Sequence, residues 1–233
     1  MVQQARQPCV WSKWCYSNMP TVGNVAQNTY VASPAILTIN HAVGILFISV
    51  TFSGQQTPPT SVVVDGNPAI MLGQPSIFYH PGTAWFAAYY YYASTAGLSN
   101  VTVLWTQVGV LLIQAVEVDN VLGDPLFDVQ NQIFTQISPY SNPIAAGTPN
   151  RLIVEIFQAY GFPQMPLFTA GQQIQVDSQV AGYTGILTLQ TSAAVNLSGR
   201  FPAAFVLDTA VGVIDAGQLV LWRKRSTGLG LLR

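Results

Sequence analysis

Four carboxylates fall within twelve residues of this chain, at Glu117, Asp119, Asp124 and Asp128, and they form its densest set of groups suited to acid–base or cation chemistry. Paired carboxylates flanking a sugar bond hydrolyse glycosides, which makes Glu117 with Asp119 or Asp128 the candidate pair. Glu117 stands in an apolar strand pattern on the same side as Ala115 and Asp119, so partial burial and a raised pKa are one expectation. The pattern better fits a second reading, in which Glu117 caps its strand and accepts hydrogen bonds from backbone donors of the following turn. The three aspartates lack the D-x-D-x-D-G spacing of a calcium loop. Only two histidines are present, His41 and His80. Neither accompanies a G-x-S-x-G elbow, and both are expected in exposed loops. Cys9 and Cys15 allow one disulfide or two reduced thiols, and zinc would need ligands beyond the two histidines. The triplets Asn100-Val101-Thr102 and Asn196-Leu197-Ser198 match a glycosylation acceptor but read as coincidence, since residues 1 to 20 lack a secretory h-region. Phosphate-binding loops, dinucleotide fingerprints and basic aromatic stripes are absent from the sequence. The expectation is therefore no catalytic residue, no metal ligand and no cofactor.

Composition narrows the class further. Half of the 233 residues are hydrophobic and only 7% are charged, against about a quarter charged in an average soluble domain. So little charge suggests a surface covered by neighbouring copies or partners. Stretches long enough for a spanning helix are interrupted by Ser, Thr, Gln, Gly and Pro, so no membrane partner is expected. The net charge of −1 calls for no direct nucleic-acid contact. Its distribution is uneven: residues 16 to 150 hold no Lys or Arg, whereas Arg223, Lys224 and Arg225 cluster near one end and Arg6 and Lys13 near the other. Basic ends on an acidic body suit termini that reach other subunits.

The elements that must position these groups are strands. Trp85 to Val118 reads as three of them in succession: Ala84–Ala93, Val101–Thr106 and Val110–Val118, the last apolar enough to be buried on both faces. Tyr30–Ile39 and Val43–Phe52 flank a hairpin-like connection at Asn40-His41-Ala42. Asp65-Gly66-Asn67-Pro68 is a strong turn signal. Gly73–Gly82 reads as a loop, Gln130–Asn150 as a long polar connection, Arg151–Tyr160 as a strand with Leu152, Val154 and Ile156 on one face, and Asn196–Pro202 as a loop. Further strands are expected at Ala203–Asp208, Val211–Asp215 and Gln218–Arg223. About a dozen short strands with Gly and Pro turns, and no repeat at a fixed period, argue an all-β protein. Its class is an antiparallel β-sandwich, jelly-roll-like, with an irregular N-terminal arm at 1–20, one sandwich domain at 21–224 and a C-terminal tail at 225–233. Trp11 and Trp14 would anchor the arm in a groove. Trp85, Tyr89 and Tyr91 share one side of their strand, with core packing expected on one face and interface packing on the other.

At Tyr91-Tyr92-Ala93, Ala96-Gly97, Val101-Thr102-Val103-Leu104-Trp105, Ala115-Val116-Glu117-Val118 and Pro125-Leu126-Phe127-Asp128, the chain resembles a β-sandwich module of bacteriophage structural proteins and some bacterial surface proteins. Val62-Val63-Val64-Asp65-Gly66-Asn67 looks like the module's earlier hairpin and Leu219 to Trp222 like its closing strand. The likeness spans about Thr60 to Asp128 and is a pattern of strand and turn residues. It implies a non-enzymatic virion component, made in the host cytoplasm, that decorates or stabilises a capsid or belongs to the tail or collar. Its partners would be other copies of itself, as a trimer, and a major capsid or tail protein. Contacts are expected at Trp11, Trp14, Trp85, Tyr89, Tyr91, Arg223, Lys224 and Arg225. The alternative is a carbohydrate- or receptor-binding adhesin using the aromatics near Trp85 and Tyr89–Tyr92, and a third is the glycoside hydrolase.

Overall fold

The computed structural model describes residues 20–54, 59–78, 84–106, 109–121, 126–135, 140–146, 151–160, 167–168, 172–177, 183–191, 193–200 and 206–214. The arm and tail, Trp11 and Trp14, the two cysteines, His80, and the strand expected at Gln218–Arg223 lie outside them. Among the described residues the chain is all strand and turn, with no helix and so none able to cross a membrane. The strands are β1 (Thr21–Tyr30), β2 (Ala35–His41), β3 (Gly44–Ser53), β4 (Ser61–Val64), β5 (Asn67–Pro68), β6 (Ile70–Phe78), β7 (Ala84–Ala93), β8 (Gly97–Leu104) and β9 (Val110–Asp119). They continue as β10 (Leu126–Thr135), β11 (Tyr140–Ile144), β12 (Arg151–Tyr160), β13 (Leu167–Phe168), β14 (Gln172–Asp177), β15 (Tyr183–Thr191), β16 (Val195–Arg200) and β17 (Val206–Ile214).

The pairing is antiparallel throughout and follows a jelly roll. In the first unit β1 pairs with β9, β2 with β8, β3 with β7 and β4 with β5, so the chain folds as one long hairpin rolled up on itself. The result is an inner sheet, β1-β9-β3-β7-β6, and an outer sheet, β2-β8-β4-β5. The same connectivity then runs again, giving a second inner sheet, β10-β17-β12-β15-β14, and a second outer sheet, β11-β16-β13. Within the span read as one sandwich domain, the rolled hairpin therefore occurs twice.

Period-two alternation fixes which layer each side chain meets. On β3, Leu46, Ile48, Val50 and Phe52 face the first outer sheet, where they meet Leu37, Ile39, Val64, Val101 and Val103. Ile45 and Phe47, on the other face, join Phe86, Ala88, Val116 and Val118 against Leu152, Val154, Ile156, Ile186 and Ile214 of the second inner sheet. Both faces of the first inner sheet are thus core. The unbroken apolar runs of β3 and β9, buried along nearly their whole length, are the sequence consequence of that position. The opposite face of β12, carrying Ile153, Phe157 and Ala159, is equally buried. The repeated connectivity makes the second outer sheet, with its buried Ile144 and Leu197, the layer that covers it. The stack is outer, inner, inner, outer.

The two inner sheets meet in reversed order, with β6 lying against β10 and β17 and β1 against β14. This places β3 over β12 and relates the units by an approximate two-fold parallel to those strands. Thr51 of β3 and Gln158 of β12 occupy equivalent positions and touch, Thr51 Oγ1 lying 3.2 Å from Gln158 Oε1. Around them runs a polar seam, buried at Gln114 and Thr184 and ending at the exposed Gln27. Thr51 Oγ1 is also 3.2 Å from Thr184 Oγ1, and Gln114 Nε2 donates to Gln27 Oε1 at 3.1 Å.

Several elements differ from the sequence expectation. Asn40-His41-Ala42 is no hairpin: β2 and β3 leave it for different sheets. The polar stretch Gln130–Asn150 contains most of β10 and all of β11, and the loops expected at Gly73–Gly82 and Asn196–Pro202 contain much of β6 and β16. Pro143 sits in β11 because that strand is a sheet edge, where a missing backbone donor costs no ladder bond. Ala203–Asp208 and Val211–Asp215 merge into β17.

Candidate functional site

The chemistry-bearing side chains of the first unit converge on one end of its sandwich, where the β2–β3 connection, the β4–β5 turn, the start of β8 and the end of β9 meet. Glu117 is buried near the end of β9. Its Oε2 accepts from the Asn24 backbone N–H at 2.8 Å and its Oε1 from that of Ala42. Asn24 belongs to a register shift between Val22 and Val25 in the β1–β9 ladder, so the carboxylate supplies the acceptor that the irregularity removes. Gly23 makes room for it, since a Cβ there would lie 2.4 Å from Glu117 Oε2. Glu117 does bond backbone donors, but in β1 and the β2–β3 connection rather than in the turn that follows it.

His41, expected exposed in a loop, is instead the last residue of β2 and is buried. Strand alternation turns it inward with Ala35, Leu37 and Ile39. Its Nδ1 lies 2.7 Å from the Ala42 carbonyl and its Nε2 lies 2.7 Å from Ser99 Oγ. A carbonyl only accepts, so Nδ1 carries a proton. Beyond Ser99 stands Asp65, the first residue of a two-residue turn with φ of 49° followed by Gly66 at 80°, the geometry of a tight β-hairpin with both central residues left-handed. The Asn100 N–H donates to Asp65 Oδ1 at 2.8 Å. That bond, then a hydrogen bond from Ser99, then the nearby His41, hold the Asp65 carboxyl below the usual carboxylate range against slight desolvation.

Asp65, Ser99 and His41 are the residue types of a hydrolytic triad in a different order. In a triad the acid orients the imidazole and the imidazole deprotonates the serine. Here the carboxylate touches the serine, a backbone carbonyl orients the imidazole, and Ser99 and His41 are both buried. The arrangement ties the β4–β5 turn and β8 to β2, and Glu117 ties β2 to β1 and β9. Ser99 carried no signal in the sequence; the inward parity of β8 would have been the way to find it.

Of the expected contact residues, Trp85 is fully exposed to core and not to solvent, at 0% accessibility, and Tyr89 is at 5%. Both pack between the inner and outer sheets of the first unit, because strand β7 has a layer on each side and so no interface face. Burial pushes the Tyr89 phenol up to about 12. Tyr91 is half-buried at the edge of the same core, with Asn67 Nδ2 donating to its hydroxyl at 3.4 Å. The expected aromatic sugar platform is therefore not formed by Trp85 and Tyr89. Trp11, Trp14, Arg223, Lys224 and Arg225 lie outside the described residues. No group of His, Cys, Asp and Glu among the described residues is arranged to hold a metal ion. No protein family, curated protein or solved structure matches this chain.

Proposed function

We propose that the protein is a non-enzymatic structural component of a virus particle, a jelly-roll building block that works through subunit contacts. The observation that carries this reading is the surface chemistry. Residues 16 to 150 hold no Lys or Arg, while Val31, Ile36, Leu98 and Leu104 stand exposed. Subunit interfaces are depleted of charge at their centre in this way. Jelly rolls serve viral capsids as well as lectins and cupins, so the connectivity agrees with the reading without carrying it. The end-of-sandwich cluster supports it too, because its polar groups are spent on holding strands together. In this role the protein stabilises what it binds by mass action, as any ligand of an assembled state does.

The test is the solution mass by light scattering over a range of concentrations. Association into a trimer or larger species is the expected result. A strict monomer at all concentrations that also fails to bind any assembled particle would overturn it.

A further inference from the structure

Among the described residues, Arg151 is a cation taken out of water with no counter-charge beside it. It opens β12 and is 4% exposed. A guanidinium does not give up its proton in a protein, so its burial is not relieved by neutralisation. Its Nη2 donates to the Ala193 carbonyl at 2.9 Å. Its Nε is buried without a hydrogen-bond partner, and no described carboxylate pairs with it. Glu155 shares its face of β12 but stands four residues on, roughly 13 Å away at the ordinary rise of a strand.

The position is a rim. Arg151 lies at the end of its strand, directly across the ladder from Thr191 at the end of β15. Opposite residues of an antiparallel pair project to the same side, so Thr191 stands beside it. Thr191 is half-buried and Ala193 is exposed. Thr191 Oγ1 accepts from the Ala193 N–H at 3.1 Å, which leaves the hydroxyl proton to donate. The architecture does not require a side chain here. Thr51 and Gln158 occupy equivalent positions of β3 and β12, and seven residues back along each strand stand Gly44 and Arg151. At Gly44 even a Cβ would lie 2.1 Å from the Val118 carbonyl oxygen. The first unit thus fills with a glycine the place where the second carries a charge.

We propose that Arg151 and Thr191 form a binding site for an oxyanion, a carboxylate or phosphate, at this end of the second unit. Charge decides the ligand class. A water molecule would complete the Nε hydrogen bond and leave the charge unmatched, whereas a buried ion is tolerated when it is paired and hydrogen-bonded. Shape narrows the class, because the planar guanidinium fork fits two oxygens of one carboxylate or phosphate group. The inference is independent of the assembly reading. The oxyanion comes from solution or from a carboxylate of a second copy, and the same donors hold it in either case.

The experiment is thermal unfolding of the full chain, titrated with inorganic phosphate or with acetate against chloride at matched ionic strength. It compares wild type with Arg151→Met, Arg151→Lys and Thr191→Val, each checked for folding by circular dichroism. A saturable rise in the wild-type melting temperature is expected, since the anion binds the folded state. Arg151→Met keeps the apolar stem and loses the response. Arg151→Lys and Thr191→Val raise the half-saturating phosphate concentration about tenfold, and they carry the test should Arg151→Met not fold. Sedimentation velocity separates the two sources. A wild type that responds to free anion, with Arg151→Met associating as wild type does, takes its anion from solution. A wild type insensitive to both anions, whose self-association is lost in Arg151→Met, takes a carboxylate from a second copy. Arg151→Met responding to phosphate as wild type does overturns the site. So does a wild type that responds to neither anion and associates no differently from Arg151→Met.

Discussion

A carboxylate that accepts two backbone N–H groups at a strand irregularity is difficult to replace, because each donor left buried without an acceptor costs about 1–3 kcal/mol. Glu117→Gln retains one acceptor oxygen and presents an NH2 to the other donor, so a loss of roughly 1–3 kcal/mol in urea unfolding is expected. Gly23→Ala attacks the same contact from the other side, by pushing a methyl into the space of Glu117 Oε2. The two losses should be strongly non-additive in a double-mutant cycle. Additive losses would mean that the Asn24 and Ala42 bonds are not shared consequences of one carboxylate. Asp65 supplies a second expectation. Its carboxyl is depressed when folded by the Asn100 N–H, the Ser99 hydroxyl and His41, in that order. A depressed carboxylate contributes stability that is fully present above the unfolded value near pH 4 and is lost as pH falls through the lower folded value. Asp65→Asn keeps a residue tolerant of φ of 49° and removes that titration. The melting-temperature gap between wild type and Asp65→Asn should therefore be constant above about pH 5 and narrow towards pH 2. A gap that persists unchanged at pH 2 would show that the Asp65 charge contributes nothing.

Among the elements, the β4–β5 turn was the most legible and the best isolated. Asp-Gly followed by Asn-Pro predicts a tight turn, and a two-residue turn with both residues left-handed is what forms. A Cβ on Gly66 would meet nothing within 4 Å, so the cost of Gly66→Ala is conformational, about 1–2 kcal/mol. Denaturant midpoints with an unchanged slope would confirm it; a neutral substitution would mean that the turn relaxes to another type. Arg151–Tyr160 and Val110–Val118 were equally legible, because strands with a layer on each face are apolar along most of their length, here with Gln114, Glu117, Arg151, Glu155 and Gln158 as the buried polar exceptions. The edges were not. β1 is exposed or half-buried along its whole length and β11 carries a proline, and such sequences read as loops. His41 was misjudged for a related reason: its neighbours Asn40 and Ala42 suggest a turn, while its parity with Leu37 and Ile39, which decides burial, is visible only once β2 is known to extend to it. Trp85 and Tyr89 were expected as contact residues but face the first outer sheet, while Phe86 and Ala88 on the other face of β7 meet a third layer, the second inner sheet, which had no signature in the sequence.

That third layer governs the behaviour of the whole molecule. The repeat of connectivity was hidden because equivalent positions hold different residues, Phe47 matching Val154, Ala88 matching Ile186 and Thr51 matching Gln158, and because the spacing between equivalents changes from strand to strand. Two jelly rolls on a flexible tether would unfold separately. These share a core in which Phe47, Phe86 and Val118 from one unit pack on Leu152, Val154 and Ile186 from the other, and the Thr51–Gln158–Thr184 contacts align it. The chain should accordingly unfold in one cooperative transition. Phe86→Ala, at a fully buried position of the shared core, should cost about 3–5 kcal/mol and lower amide-exchange protection of β12 and β15 as much as that of β3 and β7. Val50→Ala, buried on the other face of β3 against the first outer sheet, should loosen β2 and β8 first. Two resolved transitions in wild type, or loss of protection confined to the first unit in Phe86→Ala, would mean that the inner sheets touch without sharing a folding unit. Equal loss across both units would make the interface between the inner sheets the structural centre of the protein, with the outer sheets as the faces left for its partners.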